Sequence, residues 1–92
     1  MKNEYILPDK AKIAYRIVDG EAVIINLKNN ELNILNPVAT FIWEHLNGHT
    51  QLKEIVRMLS EEFEIDYKTA EKDCMNFISQ IIDMGIVISA KR

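Results

Sequence analysis

Residues 11–37 read AKIAYRIVDGEAVIINLKNNELNILNP, and the fold turns on how this stretch is parsed. Its β-branched residues are dense and alternate with a period of two, the spacing of side chains along a strand. Ile13, Tyr15 and Ile17 point one way, while Ala14, Arg16 and Val18 point the other. Asp19-Gly20 follows. A type I′ hairpin turn needs positive φ at both central positions, which this pair tolerates. A second strand runs from Ala22 to Leu27. Val23, Ile25 and Leu27 share one face and Ile24 takes the other, the pattern of a central strand covered on both sides. Lys28-Asn29-Asn30 makes a second turn. Glu31 to Leu35 is a third, shorter strand at the edge of a three-stranded antiparallel meander.

Asn36-Pro37 marks the switch to helix, since Asn caps well and Pro at the first helical position gives up no needed donor. Helix one is expected to reach about Asn47, with Ala39, Ile42, Trp43 and Leu46 at helical spacing and Gly48 ending it. Thr50 is expected to cap helix two, whose apolar stripe is Leu52, Ile55, Val56, Leu59 and Phe63. Asp66 caps helix three, which continues to Met84 before Gly85 stops it. Ile86 to Ser89 can form a short final strand. Strands at about 11–35 followed by helices at about 37–84 give an α+β domain with helices on one sheet face. Residues 1–92 are expected to form one such domain.

Composition narrows the function classes. The chain is 48% apolar and 27% charged, an ordinary globular balance. Its net charge of −3 has the wrong sign for a nucleic-acid binder. The one cysteine, Cys74, permits no internal disulfide. The first eight residues lack the apolar run of a signal peptide, and no stretch is long enough to span a membrane. A cytoplasmic location is expected.

Catalytic chemistry is sparse. His45 and His49 are four apart, but Gly48 should end the helix between them, so they read as solvated histidines. Cys74 lies on the apolar face of helix three with Ala70, Phe77 and Ile81, and reads as a small buried hydrophobe. Glu61, Glu62, Glu64 and Asp66 read as a solvated helix end. No glycine-rich phosphate loop is present, and no metal site or cofactor is expected. Helices two and three resemble a helix-turn-helix, so a winged-helix DNA-binding regulator is an alternative. Lys68 and Lys72 against Glu71, Asp73 and Asp83 leave helix three without the basic surface that role needs.

The informative feature is surplus apolar surface on helix three. Ala70, Cys74, Phe77, Ile78 and Ile81 make the core stripe, while Met75 and Ile82 stack on one flank beside Lys68, Glu71 and Ser79. Thr69, Asp73, Asn76 and Gln80 form an opposite, polar flank. Leu32, Asn33 and Ile34 would present unpaired backbone groups on the edge strand, ready for β-augmentation by a peptide. An open edge can equally pair with a second copy of the chain as a homodimer.

Several segments stand together in a recognisable order. They are Asp19-Gly20-Glu21 leading into Ala22-Val23-Ile24-Ile25, Leu35-Asn36 followed by Ile42-Trp43 and Gly48, Ile55-Val56 with Leu59, and Met84-Gly85-Ile86. In these the chain resembles the PqqD family, small accessory proteins first known from pyrroloquinoline quinone biosynthesis. It is similar, too, to the wider class of recognition elements for ribosomally made, post-translationally modified peptides. The resemblance implies a winged-helix-like domain that is not an enzyme. It implies binding of a precursor's leader peptide as an added strand, between the third strand and the third helix. It implies delivery to a modifying enzyme, often a radical SAM protein, elsewhere a peptidase or cyclase. On this chain the peptide would lie along Leu32, Asn33 and Ile34, against Met75, Ser79 and Ile82, with Lys72 beside them. A structural adaptor holding part of one partner enzyme in the same groove is a further alternative.

Overall fold

The computed structural model describes residues 5–90. In chain order it comprises β1 (Tyr5–Pro8), β2 (Ile13–Val18), β3 (Glu21–Asn26) and β4 (Glu31–Ile34). There follow α1 (Pro37–Glu44), α2 (Leu52–Glu62), α3 (Tyr67–Asp83) and β5 (Val87–Ala90). Strands β2, β3 and β4 form an antiparallel sheet in that order, and β1 pairs with β5 in a separate two-stranded sheet. The α+β architecture, a three-stranded antiparallel sheet followed by three helices, is the one expected. Strand β1 and its pairing with β5 are additions to it.

Local chemistry explains the meander. Asp19 and Gly20 have φ of 52° and 80°, the positive pair a type I′ turn requires. The Asn26 side-chain oxygen accepts the Lys28 N–H at 3.0 Å and thereby shapes the second turn. Directly paired residues share a sheet face. Ile13, Tyr15, Ile24 and Asn33 therefore lie on one face, and Ala14, Arg16, Val23, Ile25, Leu32 and Ile34 on the other. The first face meets the helices. Ile13, Ala22 and Ile24 join Ile42, Trp43, Ile55, Leu59, Cys74, Phe77 and Ile81 in the core. Strand β3 is central as expected, but only one of its faces is covered. Ile24 is buried, whereas Val18, Ile25, Leu32 and Ile34 are exposed on the outer face. All three helices follow β4 and pack on the inner side, so the apolar residues of the outer face are not a second core.

The helix termini refine the sequence reading. Asn36 Oδ1 accepts the Ala39 N–H at 2.8 Å and Pro37 opens α1. The helix stops at Glu44, short of Asn47. The His45 and Leu46 N–H groups bond back to the Ile42 and Trp43 carbonyls, a 3₁₀ tightening of the last turn. At α2 the N-cap is Gln51 rather than Thr50, and its side chain makes no cap bond. Asn47 Oδ1 instead accepts the His49 and Thr50 N–H groups at 2.8 and 3.0 Å, so the turn is held from upstream. Asp66 caps α3 by accepting the Thr69 N–H at 2.7 Å, and that bond holds its carboxyl below the usual range. Buried Thr40 ties helix to sheet. Its Oγ1 accepts the Ala22 N–H at 2.9 Å and donates to the Leu35 carbonyl at 3.3 Å.

Candidate functional site

The hydrogen-bond phase of β4 decides what its open edge offers. Leu35 N–H bonds to the Ala22 carbonyl at 2.8 Å, one step beyond the Ile34–Val23 pair. Bonded and non-bonded pairs alternate along an antiparallel ladder. Asn33 is thus bonded to Ile24, while Leu32 and Ile34 turn their backbone N–H and C=O groups away from β3. Among the described residues no strand lies beyond β4. The Leu32 and Ile34 side chains are 57% and 62% exposed on the outer face. Asn33 points inward and is half-buried, with its Nδ2 buried and unpartnered. A buried donor without a partner costs about 1–3 kcal/mol.

Where β4 ends, the first turns of α1 and the middle of α3 leave a hollow of about 270 Å³. Val38, Ala39, Ile42 and Phe77 make its apolar floor; Asn36, Asp73, Asn76 and Gln80 make a polar rim. Asp73 is half-buried, and no ion pair engages it among the described residues.

The structure divides the residues expected to form the groove. Leu32, Asn33 and Ile34 stand on the open edge. Lys72, Met75, Ser79 and Ile82 are not brought to the hollow beside it. All four are exposed, Met75 at 41% and Ile82 at 53%; Met75 and Ile82 lie on the flank of α3 roughly opposite Gln80, while Lys72 and Ser79 stand on the solvent side between the two flanks. The apolar surplus on Met75 and Ile82 is real surface, but it borders a different side of the molecule. The hollow is lined instead by Asp73, Asn76 and Gln80 of the flank that the sequence shows as polar. A helical wheel groups Asp73, Asn76 and Gln80 together, yet only the packing of α1 shows which flank meets the edge. The one available signal was adjacency: α1 leaves β4 through Asn36, so the helix flank touching α1 also approaches the end of β4.

The remaining reactive groups are engaged elsewhere. His45 Nδ1 lies 2.7 Å from the Phe41 carbonyl, with the two rings 4.3 Å apart. Burial pushes the Cys74 thiol up to about 11. Arg57 pairs along α2 with Glu54 and Glu61. Among the described residues no cluster of His, Cys, Asp or Glu could hold a metal ion, and no helix is long and apolar enough to cross a membrane.

A family model described as Coenzyme PQQ synthesis protein D (PqqD) matches residues 21–87, from the first residue of β3 into β5. The chain belongs to the PqqD family. Comparison with curated proteins finds no match. Two solved structures share the fold of this PqqD-family chain. One is TbiB1 in complex with the TbiA(beta) leader peptide, with a TM-score of 0.77 and 22% identity, covering 88% of this chain and 94% of that one. The other is lasso peptide synthetase B1 complexed with the leader peptide. Its TM-score is 0.77 at 20% identity, covering 95% and 99% of the two chains. At such identities the likeness is one of fold.

Proposed function

We propose that this PqqD-family chain captures the leader segment of a ribosomally made precursor peptide. The leader adds as a strand beyond β4 and is presented to a modifying enzyme, of radical SAM, cyclase or peptidase type. The observation that carries this reading is the pair of outward-facing backbone groups at Leu32 and Ile34, unpaired within the sheet and beside a partly apolar hollow. Edge pairing supplies backbone hydrogen bonds, and pockets beside the edge supply selectivity. The two solved structures of the same fold, each holding a leader peptide, support the reading. The peptide's wall on α3 is proposed as the Asp73–Gln80 flank in place of Met75 and Ile82. The chain contributes binding and delivery and makes no bonds of its own. Holding the leader raises the effective concentration of the attached core peptide near its enzyme.

The test begins with random short peptides displayed on phage and selected on the immobilised full chain. The most enriched peptide is then synthesised and titrated into isotope-labelled protein. The Leu32 and Ile34 amides should gain protection from hydrogen exchange, and resonances of Asn76 and Gln80 should shift. Binding that leaves both edge amides unprotected would rule out strand addition.

A further inference from the structure

The hollow beside β4 has a chemistry that selects among peptides. Side chains alternate between faces along any strand laid on β4, whichever way it runs. Peptide residues level with Leu32 and Ile34 share their outer face, and those level with Asn33 and Leu35 turn inward toward α3. The inward residue nearest the end of β4 enters the hollow. Its stem meets the apolar floor, and its tip meets Asp73, with Asn76 and Gln80 on the same rim.

Asp73 is half-buried and lacks a counter-ion, because the ion pairs among the described residues are those of Lys12 with Asp9 and of Arg57 with Glu54 and Glu61. An apolar side chain in the hollow would suit the floor but strip water from the carboxylate with nothing in return. An acidic one would add repulsion between like charges. A long aliphatic stem ending in a cation satisfies floor and rim together. Resting on the strand-addition reading, we infer that this hollow is a selectivity pocket for a Lys or Arg side chain of the captured peptide. Asp73 is its counter-ion, and the side-chain oxygens of Asn76 and Gln80 are further acceptors.

Random peptides displayed on phage are selected on the full chain as wild type, Asp73→Asn and Asp73→Lys, with circular dichroism melts to check that each variant folds. The wild type should enrich Lys or Arg at one fixed position between apolar neighbours. Asp73→Asn should lose that preference and bind the best wild-type peptide about tenfold more weakly, as expected for one partly exposed charge-assisted bond. Asp73→Lys should enrich Asp or Glu at the same position. If either Asp73 variant misfolds, exposed Gln80→Ala serves in its place and should weaken basic peptides more than matched neutral ones. Enriched peptides with no basic position, or a basic preference unchanged in the variants, would overturn the pocket while leaving strand addition standing. A failure to enrich any peptide on the wild type would overturn strand addition itself, and the pocket with it.

Discussion

Proline at position 32 would remove one backbone N–H, and the ladder phase decides what is lost with it. The Leu35–Ala22 bond places the Leu32 N–H on the open side of β4, so the β3–β4 ladder gives up no hydrogen bond. Edge strands admit proline in this orientation, and its φ falls within the broad β region. Leu32 is 57% exposed, so little burial is lost with its side chain. Leu32→Pro should therefore destabilise the fold by no more than about 1 kcal/mol, a fall in Tm of about 4–8 °C at most. Peptide capture should suffer more. One ladder bond worth about 0.5–1.5 kcal/mol disappears, and the incoming carbonyl that it satisfied is buried without a donor at a further cost of about 1–3 kcal/mol. A combined loss of about 2 kcal/mol or more weakens binding about thirtyfold or more. Fluorescence anisotropy with the phage-selected peptide measures that loss, and thermal melts measure the fold. Asn33→Pro is the control. Its N–H faces Ile24, so it should disrupt the sheet outright. Leu32→Pro binding within about twofold of wild type would refute strand addition at this edge. Unfolding as severe as that of Asn33→Pro would refute the ladder phase.

Three further outcomes follow from other parts of the molecule. Thr40→Val keeps the shape but orphans the buried Ala22 N–H and frees the Leu35 carbonyl. It should cost about 1–3 kcal/mol in denaturant melts, and Thr40→Ser should recover most of that. With its thiol pushed up to about 11, Cys74 should react with an alkylating reagent at about pH 8 at least a hundredfold more slowly in the native protein than after denaturation. Native labelling at the denatured rate would contradict its burial. The Asp66 carboxyl is held below its ordinary range by the Thr69 N–H, so its contribution to stability is full above about pH 4 and fades as pH falls through the lowered value. Asp66→Asn caps without titrating and should show a shallower acid loss than wild type; identical acid profiles would refute the assignment.

Most of the sheet and the helix boundaries were legible because their signals are local. Asp19-Gly20 fixes one hairpin, Asn36-Pro37 opens α1, and Gly85, at φ +71°, closes α3. Strand β1 was not legible. Tyr5–Pro8 is short, ends in proline, and finds its partner at the far end of the chain, where no local pattern reaches. Gly48 shows the same limit. It reads as a helix stop, but α1 ends at Glu44 with His45 as its C-cap, so the glycine's φ of +78° serves the loop beyond, where a side chain would meet Leu7 of β1 at 3.6 Å. Thr50 is not the cap: the helix begins one residue later, with Gln51 in that place, and Asn47 holds the turn before it by accepting the His49 and Thr50 N–H groups. Strand order alone puts Leu32, Asn33 and Ile34 on an open edge. Which flank of α3 lines the hollow near the end of that strand is not legible in the same way, since periodicity assigns residues to a flank and only tertiary packing assigns the flank to a neighbour.

The pairing of β1 with β5 has a consequence for how this fold can be carried. Tyr5 stands opposite Ala90 across an antiparallel pair, so the chain enters and leaves the described fold one strand spacing apart, about 4.8 Å. A segment with adjacent ends can be spliced into a surface loop of a host protein, or circularly permuted, with little strain on either side. That two-stranded sheet is separate from β2–β4. A host joined through β1 and β5 would hold the module by one sheet and leave the open edge of the other for its peptide.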